Sequence, residues 1–158
     1  MGRPHIAKAL VNRGYVSSID EAFSRYLKKG AVAYAEKFRF SPREAIGLIR
    51  GAGGLAVLAH PFTLGITEPR ELTLLVKELQ EMGLAGLEVF YPDHTEETVV
   101  LYQDIAKNLG LVCTGGSDFH GTLRDHSYLG NGILGQNLNY GLLQNIKERL
   151  QERELTCR

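Results

Sequence analysis

The chain has no long apolar run, no excess charge of either sign and only two cysteines in 158 residues. A membrane-spanning helix needs about 18 or more consecutive apolar residues, and no stretch here approaches that. No signal peptide precedes the first helical segment, so a cytoplasmic location is the expectation. Lys plus Arg and Asp plus Glu each total 18. That balance excludes bulk electrostatic attachment to a nucleic-acid backbone or an anionic membrane. It leaves open a small phosphorylated ligand held by a local site. Cys113 lies in an apolar run and Cys157 at the chain end; a buried small hydrophobe and an incidental thiol are expected rather than a functional pair. Repeats, low-complexity tracts and long linkers are also missing. What is present, 44% hydrophobic residues, suffices for one core and not two.

Punctuation divides the chain clearly. Ser18-Ile19-Asp20-Glu21 reads as a capping box opening a short helix with Ala22, Phe23, Tyr26 and Leu27 on one face, ended by Gly30. Ser41-Pro42-Arg43-Glu44 is a second capping box with Pro at the first helical position, and its helix stops at Gly51, Gly53 and Gly54. A strand is expected over 55–60, a helix over 69–82 with Leu72, Leu75, Val76 and Leu79 in register, and a strand over 86–91. Thr95 then caps a helix carrying Val99, Tyr102, Ile105, Ala106 and Leu109, followed by a strand at 111–114. Alternating helix and strand predict crossovers onto a parallel sheet. Residues 121–141 read as loop with one short strand at 128–134, and 142–153 as a polar terminal helix.

Chemistry-bearing side chains collect at the strand ends. Leu55-Ala56-Val57-Leu58-Ala59 runs into His60-Pro61, and Leu111-Val112-Cys113-Thr114 into Gly115-Gly116-Ser117-Asp118-Phe119-His120. Parallel sheets bind ligands beyond the carboxyl ends of their strands. Imidazole and carboxylate are the usual ligands for Zn, Mn or Fe in hydrolases. Residues two apart in extended backbone project to one side, so Asp118 and His120 can share a target. Each of His60, Asp118 and His120 alone reads more readily as a hydrogen-bonded structural residue; their joint position favours a metal site. At the amino terminus, Gly2-Arg3-Pro4-His5 precedes the helical run from Ile6 to Val11 with Pro4 as its expected first residue. A helix start offers unpaired N–H groups to a phosphate, with Arg3 and His5 beside it; an ordinary exposed chain end is the alternative. Glu88, inside an apolar strand, is expected in a structural pairing. Tyr91, Asp93 and His94 are expected in a solvated loop, and Asp125 and His126 in a loop that could cover the site. Gly51-x-Gly53-Gly54 precedes a strand and is no dinucleotide fingerprint.

Taken in order, Gly-Arg-Pro-His-Ile-Ala, Ser-Pro-Arg-Glu-Ala-Ile, Ala-Val-Leu-Ala-His-Pro, Gly-Leu-Glu-Val-Phe-Tyr-Pro and Thr-Gly-Gly-Ser-Asp-Phe-His-Gly resemble the PHP superfamily of metal-dependent phosphoesterases. The likeness is to the branch with 3′,5′-nucleoside bisphosphate phosphatases and oligoribonucleases, and runs from Gly2 to about Leu134. It implies an α/β fold, part of a distorted β/α barrel with about three parallel strands and crossover helices. Residues 1–40 would form a small helical insertion segment and 41–158 the carboxyl-terminal part of the barrel. It also implies that His60, Asp118 and His120 are metal ligands, that Arg3 and His5 lie near the substrate phosphate, and that divalent ions (Zn, Mn or Fe) are the cofactors.

The ligands carried by the family's first half, a His-x-His pair, further Asp and His residues and a bridging Glu, are not found here. Three ligands can hold one ion, whereas chemistry of this type uses paired metals. The expectation is therefore a carboxyl-terminal segment of a phosphoesterase for a nucleotide-like substrate, weakly active or inactive alone and incompletely metallated. The alternatives are a non-catalytic remnant that binds a phosphorylated ligand or a partner, and a phosphatase for another substrate such as histidinol phosphate. An exposed sheet edge would favour a homodimer or pairing with an amino-terminal segment.

Overall fold

The computed structural model describes residues 2–36, 38–119 and 138–156. Two compact units divide it, Met1–Arg39 and Phe40–Arg158. In the first, helix α1 (Arg3–Asn12) is followed by α2 (Ile19–Ala22), which passes directly into a π-helical turn, Phe23–Leu27. Gly2 is the N-cap of α1, so Pro4 is its second residue rather than its first; its missing N–H is one of the unpaired donors of a first turn at either position. Ala7, Val16, Ala22 and Leu27 form the small core of this unit, with Leu10, Val11, Phe23 and Tyr26 against it.

The capping box expected at Ser18 is present in half. Ser18 Oγ accepts the Glu21 N–H at 3.0 Å, but the Glu21 carboxylate takes the Ser17 N–H (2.8 Å) and Ser17 hydroxyl (2.6 Å) instead of the Ser18 N–H. These two bonds, with a third from Arg25 (2.8 Å), hold Glu21 at a pKa of about 2 against an ordinary 4.5. At Ser41 the box is complete: Glu44 N–H donates to Ser41 Oγ, and the Glu44 carboxylate accepts from Ser41 N–H at 2.8 Å.

The second unit holds the sheet. Helix α3 (Pro42–Gly51) leads to strand β1 (Val57–Leu58), a 3₁₀ turn (Pro61–Leu64) and helix α4 (Pro69–Glu81). Strand β2 (Gly86–Phe90), helix α5 (Glu96–Asn108) and strand β3 (Val112–Gly115) follow, and α6 (Gly141–Thr156) ends the chain. The strands are parallel in the order β1-β2-β3, so β2 is central. Mixed helix and sheet with three parallel strands is the architecture the apolar periodicities predict. Strand β1 is shorter than expected because His60 leaves the extended region and opens the 3₁₀ turn. The short strand expected at 128–134 lies outside the described residues.

Burial explains why β2 is central. Leu87 and Val89 are fully buried, and Leu72, Val76 and Leu79 of α4 and Tyr102, Ile105 and Ala106 of α5 pack in the same core. Each fully buried aliphatic side chain contributes about 1.5–3 kcal/mol. Cys113 is half-buried rather than buried, and that burial pushes its thiol pKa up. Helix α6 is tied down by guanidinium groups. Arg149 donates to Gly110 O at 2.7 Å, and Arg153 to Gly54 O at 2.5 Å and to Arg50 O. Arg50 lies in the last turn of α3, and Gly54 and Gly110 stand just beyond the C-caps of α3 and α5, where the negative end of a helix dipole favours a cation. No helix among the described residues is long and apolar enough to cross a membrane.

Strand β3 reaches β2 only because residue 115 is glycine. A Cβ there would lie 2.5 Å from Phe90 Cβ and 2.6 Å from Phe90 O, at the point where the register between β2 and β3 slips. Gly115→Ala should therefore destabilise the chain by about 1–3 kcal/mol, the cost of overpacking; urea unfolding measures it, and an unchanged midpoint would contradict the close approach. In the first unit, the depressed Glu21 pKa means its stabilisation is complete above about 4.5 and lost as pH falls toward about 2. An NMR titration should show Ser17→Ala moving the Glu21 midpoint upward.

Candidate functional site

Because the strands are parallel, their carboxyl ends lie together, and the next residues are His60, Tyr91 and the 116–119 segment. His60 has φ 32° and Asp118 φ 49°. They are the only non-glycine residues with positive φ among the described residues. Side chains with a Cβ pay for that conformation sterically, and such outliers concentrate at functional sites. The reason given above for pairing Asp118 with His120, extended backbone, does not hold at Asp118, which is left-handed. His120 itself, Asp125 and His126 lie outside the described residues.

His60 is held through its backbone. The Glu88 carboxylate accepts its N–H at 2.5 Å. Thr63 returns to it twice, with N–H and hydroxyl donating to His60 O at 3.0 and 2.8 Å. The Thr63 hydroxyl also lies 3.4 Å from Nδ1, and His60 is exposed. Glu88 thus has the hydrogen-bonded structural role expected of a carboxylate in a strand, half-buried and facing a donor across 28 residues of chain.

Asp118 is half-buried, and its Oδ2 accepts the Tyr91 hydroxyl at 2.8 Å. Tyr91 and His94 were expected in a solvated loop; both are 2% exposed. His94 packs against three rings, those of Phe62 (5.4 Å), Tyr91 (5.3 Å) and Tyr102 (5.0 Å). Its Nδ1 lies 2.7 Å from Val89 O. A carbonyl only accepts, so Nδ1 carries the proton there. Nε2 is buried without a hydrogen-bond partner, an uncommon arrangement for a polar atom. The segment 91–94 folds back because His94 N–H also bonds Tyr91 O (3.0 Å), a turn that buries both aromatic rings. Pattern reading missed this: Pro92 and Asp93 are exposed as expected, and the two residues flanking them are not. The one available signal was an aromatic residue continuing an apolar strand.

At the other candidate site, Arg3 donates to Leu27 O at 3.3 Å and lies 5.8 Å from the centre of the Tyr34 ring. His5 is exposed, and its Nδ1 accepts the Gly2 N–H at 3.3 Å, closing the first turn of α1.

The donors near the strand ends suit a divalent cation in kind: an imidazole and a carboxylate on strained backbone. Among the described residues no three His, Cys, Asp or Glu side chains converge as a metal-holding group.

A parallel α/β sheet with ligand-type side chains beyond its strand ends defines the class of protein. Relatives define the family. The chain is 37% identical over 120 residues to a phosphoribosyl 1,2-cyclic phosphate 1,2-diphosphodiesterase of Eggerthella lenta, covering 75% of this chain and 44% of that protein. It is 35% identical over 122 residues to a 3′,5′-nucleoside bisphosphate phosphatase of Chromobacterium violaceum, covering 76% and 42%. A structure described as a metal-dependent phosphoesterase of Bifidobacterium adolescentis superposes with a TM-score of 0.71 at 30% identity, over 94% of this chain and 50% of that one. No family model matches the sequence. The chain matches PHP-type metal-dependent phosphoesterases over about 75% of its own length, and spans less than half the length of these curated relatives.

Replacing His94 by Ala should cost about 3 kcal/mol or more, as emptying a buried ring position does. Thermal unfolding tests it, and a loss below about 1 kcal/mol would mean that the ring is not packed as seen here.

Proposed function

We propose that this chain forms the carboxyl-terminal portion of a metal-dependent phosphoesterase site acting on a nucleotide-like phosphate ester. One observation carries the reading. The two described residues proposed as ligands, His60 and Asp118, are also the two non-glycine residues on left-handed backbone among the described residues. The curated relatives, named for a nucleoside bisphosphate and a phosphoribosyl cyclic phosphate, support the substrate class.

In this reading His60 and Asp118 hold a divalent ion together with His120. The bound ion would polarise the phosphoryl oxygens and acidify an attacking water. Zn, Mn and Fe all accept this nitrogen and oxygen donor set. The chain's own part is to keep the donors in place: Glu88 and Thr63 fix the His60 backbone, and Tyr91 holds one carboxylate oxygen of Asp118. Arg3 and His5 are proposed to meet the substrate phosphate from the first turn of α1, in a helical segment that serves as the family's insertion.

With Mn²⁺ and a 3′-phosphonucleotide, the purified chain should release phosphate weakly at most, and EDTA should abolish whatever release there is. Mn²⁺ binding, followed by calorimetry, should fall in His60→Ala and in Asp118→Asn. Binding untouched by either substitution would sink the reading; rapid hydrolysis would show that the chain needs no further ligands.

A further inference from the structure

Strand β2 presents two polar side chains toward the strand ends, and each reaches a different one of the two strained residues. Glu88 accepts the backbone N–H of His60, the residue that follows β1 and Ala59. Tyr91, directly after β2, donates its hydroxyl to Asp118, three residues beyond β3. A left-handed residue with a side chain persists only where its surroundings over-determine it. For His60 those surroundings are Glu88 from the neighbouring strand and Thr63 from the following turn. For Asp118 they include a phenol that is itself fixed: Tyr91 is 2% exposed and touches the Phe62 ring at 5.1 Å and the His94 ring at 5.3 Å. His94 is anchored in turn to Val89 O of the same strand.

We propose that the central strand β2 is the positioning element of the site: Glu88 sets the backbone of His60 and Tyr91 sets the carboxylate of Asp118, neither being a ligand. This rests on the reading of His60 and Asp118 as metal ligands and adds what aims them. Among the described residues Glu88 belongs to no group of three metal-ligand side chains, and its bond goes to a main-chain donor, which it orients without occupying the imidazole. Tyr91 donates to a single carboxylate oxygen of Asp118, Oδ2, at 2.8 Å. Hydrogen-bond partners of metal ligands commonly change metal affinity about 10–100-fold when removed. The ion-facing work of the flanking strands is thus controlled from the buried middle strand, which loops on either side cannot easily displace.

The test uses the full chain and Co²⁺, whose visible absorption reports both affinity and ligand geometry. Glu88→Ala and Tyr91→Phe should each weaken Co²⁺ binding about 10-fold and alter the spectrum. Glu88→Gln keeps a carbonyl acceptor for His60 N–H and should restore binding close to wild type. In the metal-free chain, amide exchange at His60 should quicken in Glu88→Ala and not in Glu88→Gln. Equal damage from Gln and Ala would make Glu88 act through its charge and overturn its assignment as a positioning residue. Loss of binding in His60→Ala and Asp118→Asn without any loss in Glu88→Ala and Tyr91→Phe would overturn the role of β2. Absence of a Co²⁺ signature in wild type, or its persistence in His60→Ala and Asp118→Asn, would instead remove the ligand assignment on which the proposal stands.

Discussion

The backbone of β2 is the constraint from which the second unit follows. A buried strand must satisfy its N–H and C=O groups through its neighbours, since water cannot reach them. β1 and β3 do this from either side, both parallel to it. Parallel pairing in turn requires crossovers long enough to return the chain, and the sequence spends α4 and α5 on them. Close approach is demanded at two positions. A Cβ on Gly86 would meet Val112 and Val57 at 2.8 to 3.0 Å, and one on Gly115 would meet Phe90. Small residues at those positions let three strands converge, and convergence is what collects their carboxyl ends into one place.

Much of this is visible in the sequence because it is local. Ser41 and Glu44 sit three apart and cap α3 as a box should. The Leu72, Val76 and Leu79 spacing marks the buried stripe of α4, and that of Tyr102, Ile105 and Ala106 the stripe of α5. His60 and Asp118 are recognisable because they follow apolar strands. What could not be read is anything set by register between strands. The Tyr91 hydroxyl finds Asp118 across 27 residues, and Glu88 finds His60 across 28. No periodicity encodes such partners. The loop reading of 91–94 failed for a related reason. Pro92-Asp93 is ordinary turn chemistry, but the rings of Phe62 and Tyr102, from other elements, bury His94 beside it.

Strain and support are matched at the site. Positive φ at His60 and Asp118 is unfavourable on its own, by about 1–3 kcal/mol for each such residue. The compensating bonds are side-chain to backbone at His60 and side-chain to side-chain at Asp118. His60 is thus fixed by its main chain, whereas Asp118 is held by its side chain, through Oδ2.

The same economy appears at the opposite end of the sheet with a different purpose. There the arginines of α6 seek carbonyls at the ends of α3 and α5, and the groove they share, lined by Arg50, Gly83, Arg149, Glu152 and Arg153, could be mistaken for an anion site. Its electrostatics argue otherwise. Arg149 and Arg153 are already donating to the carbonyls of Gly110 and Gly54, and the negative end of a helix dipole disfavours an anion nearby. At the strands' carboxyl ends His60 and Asp118 stand on left-handed backbone instead, so the polarity of the parallel sheet keeps the arginine-tethered end apart from the end that carries the strained residues.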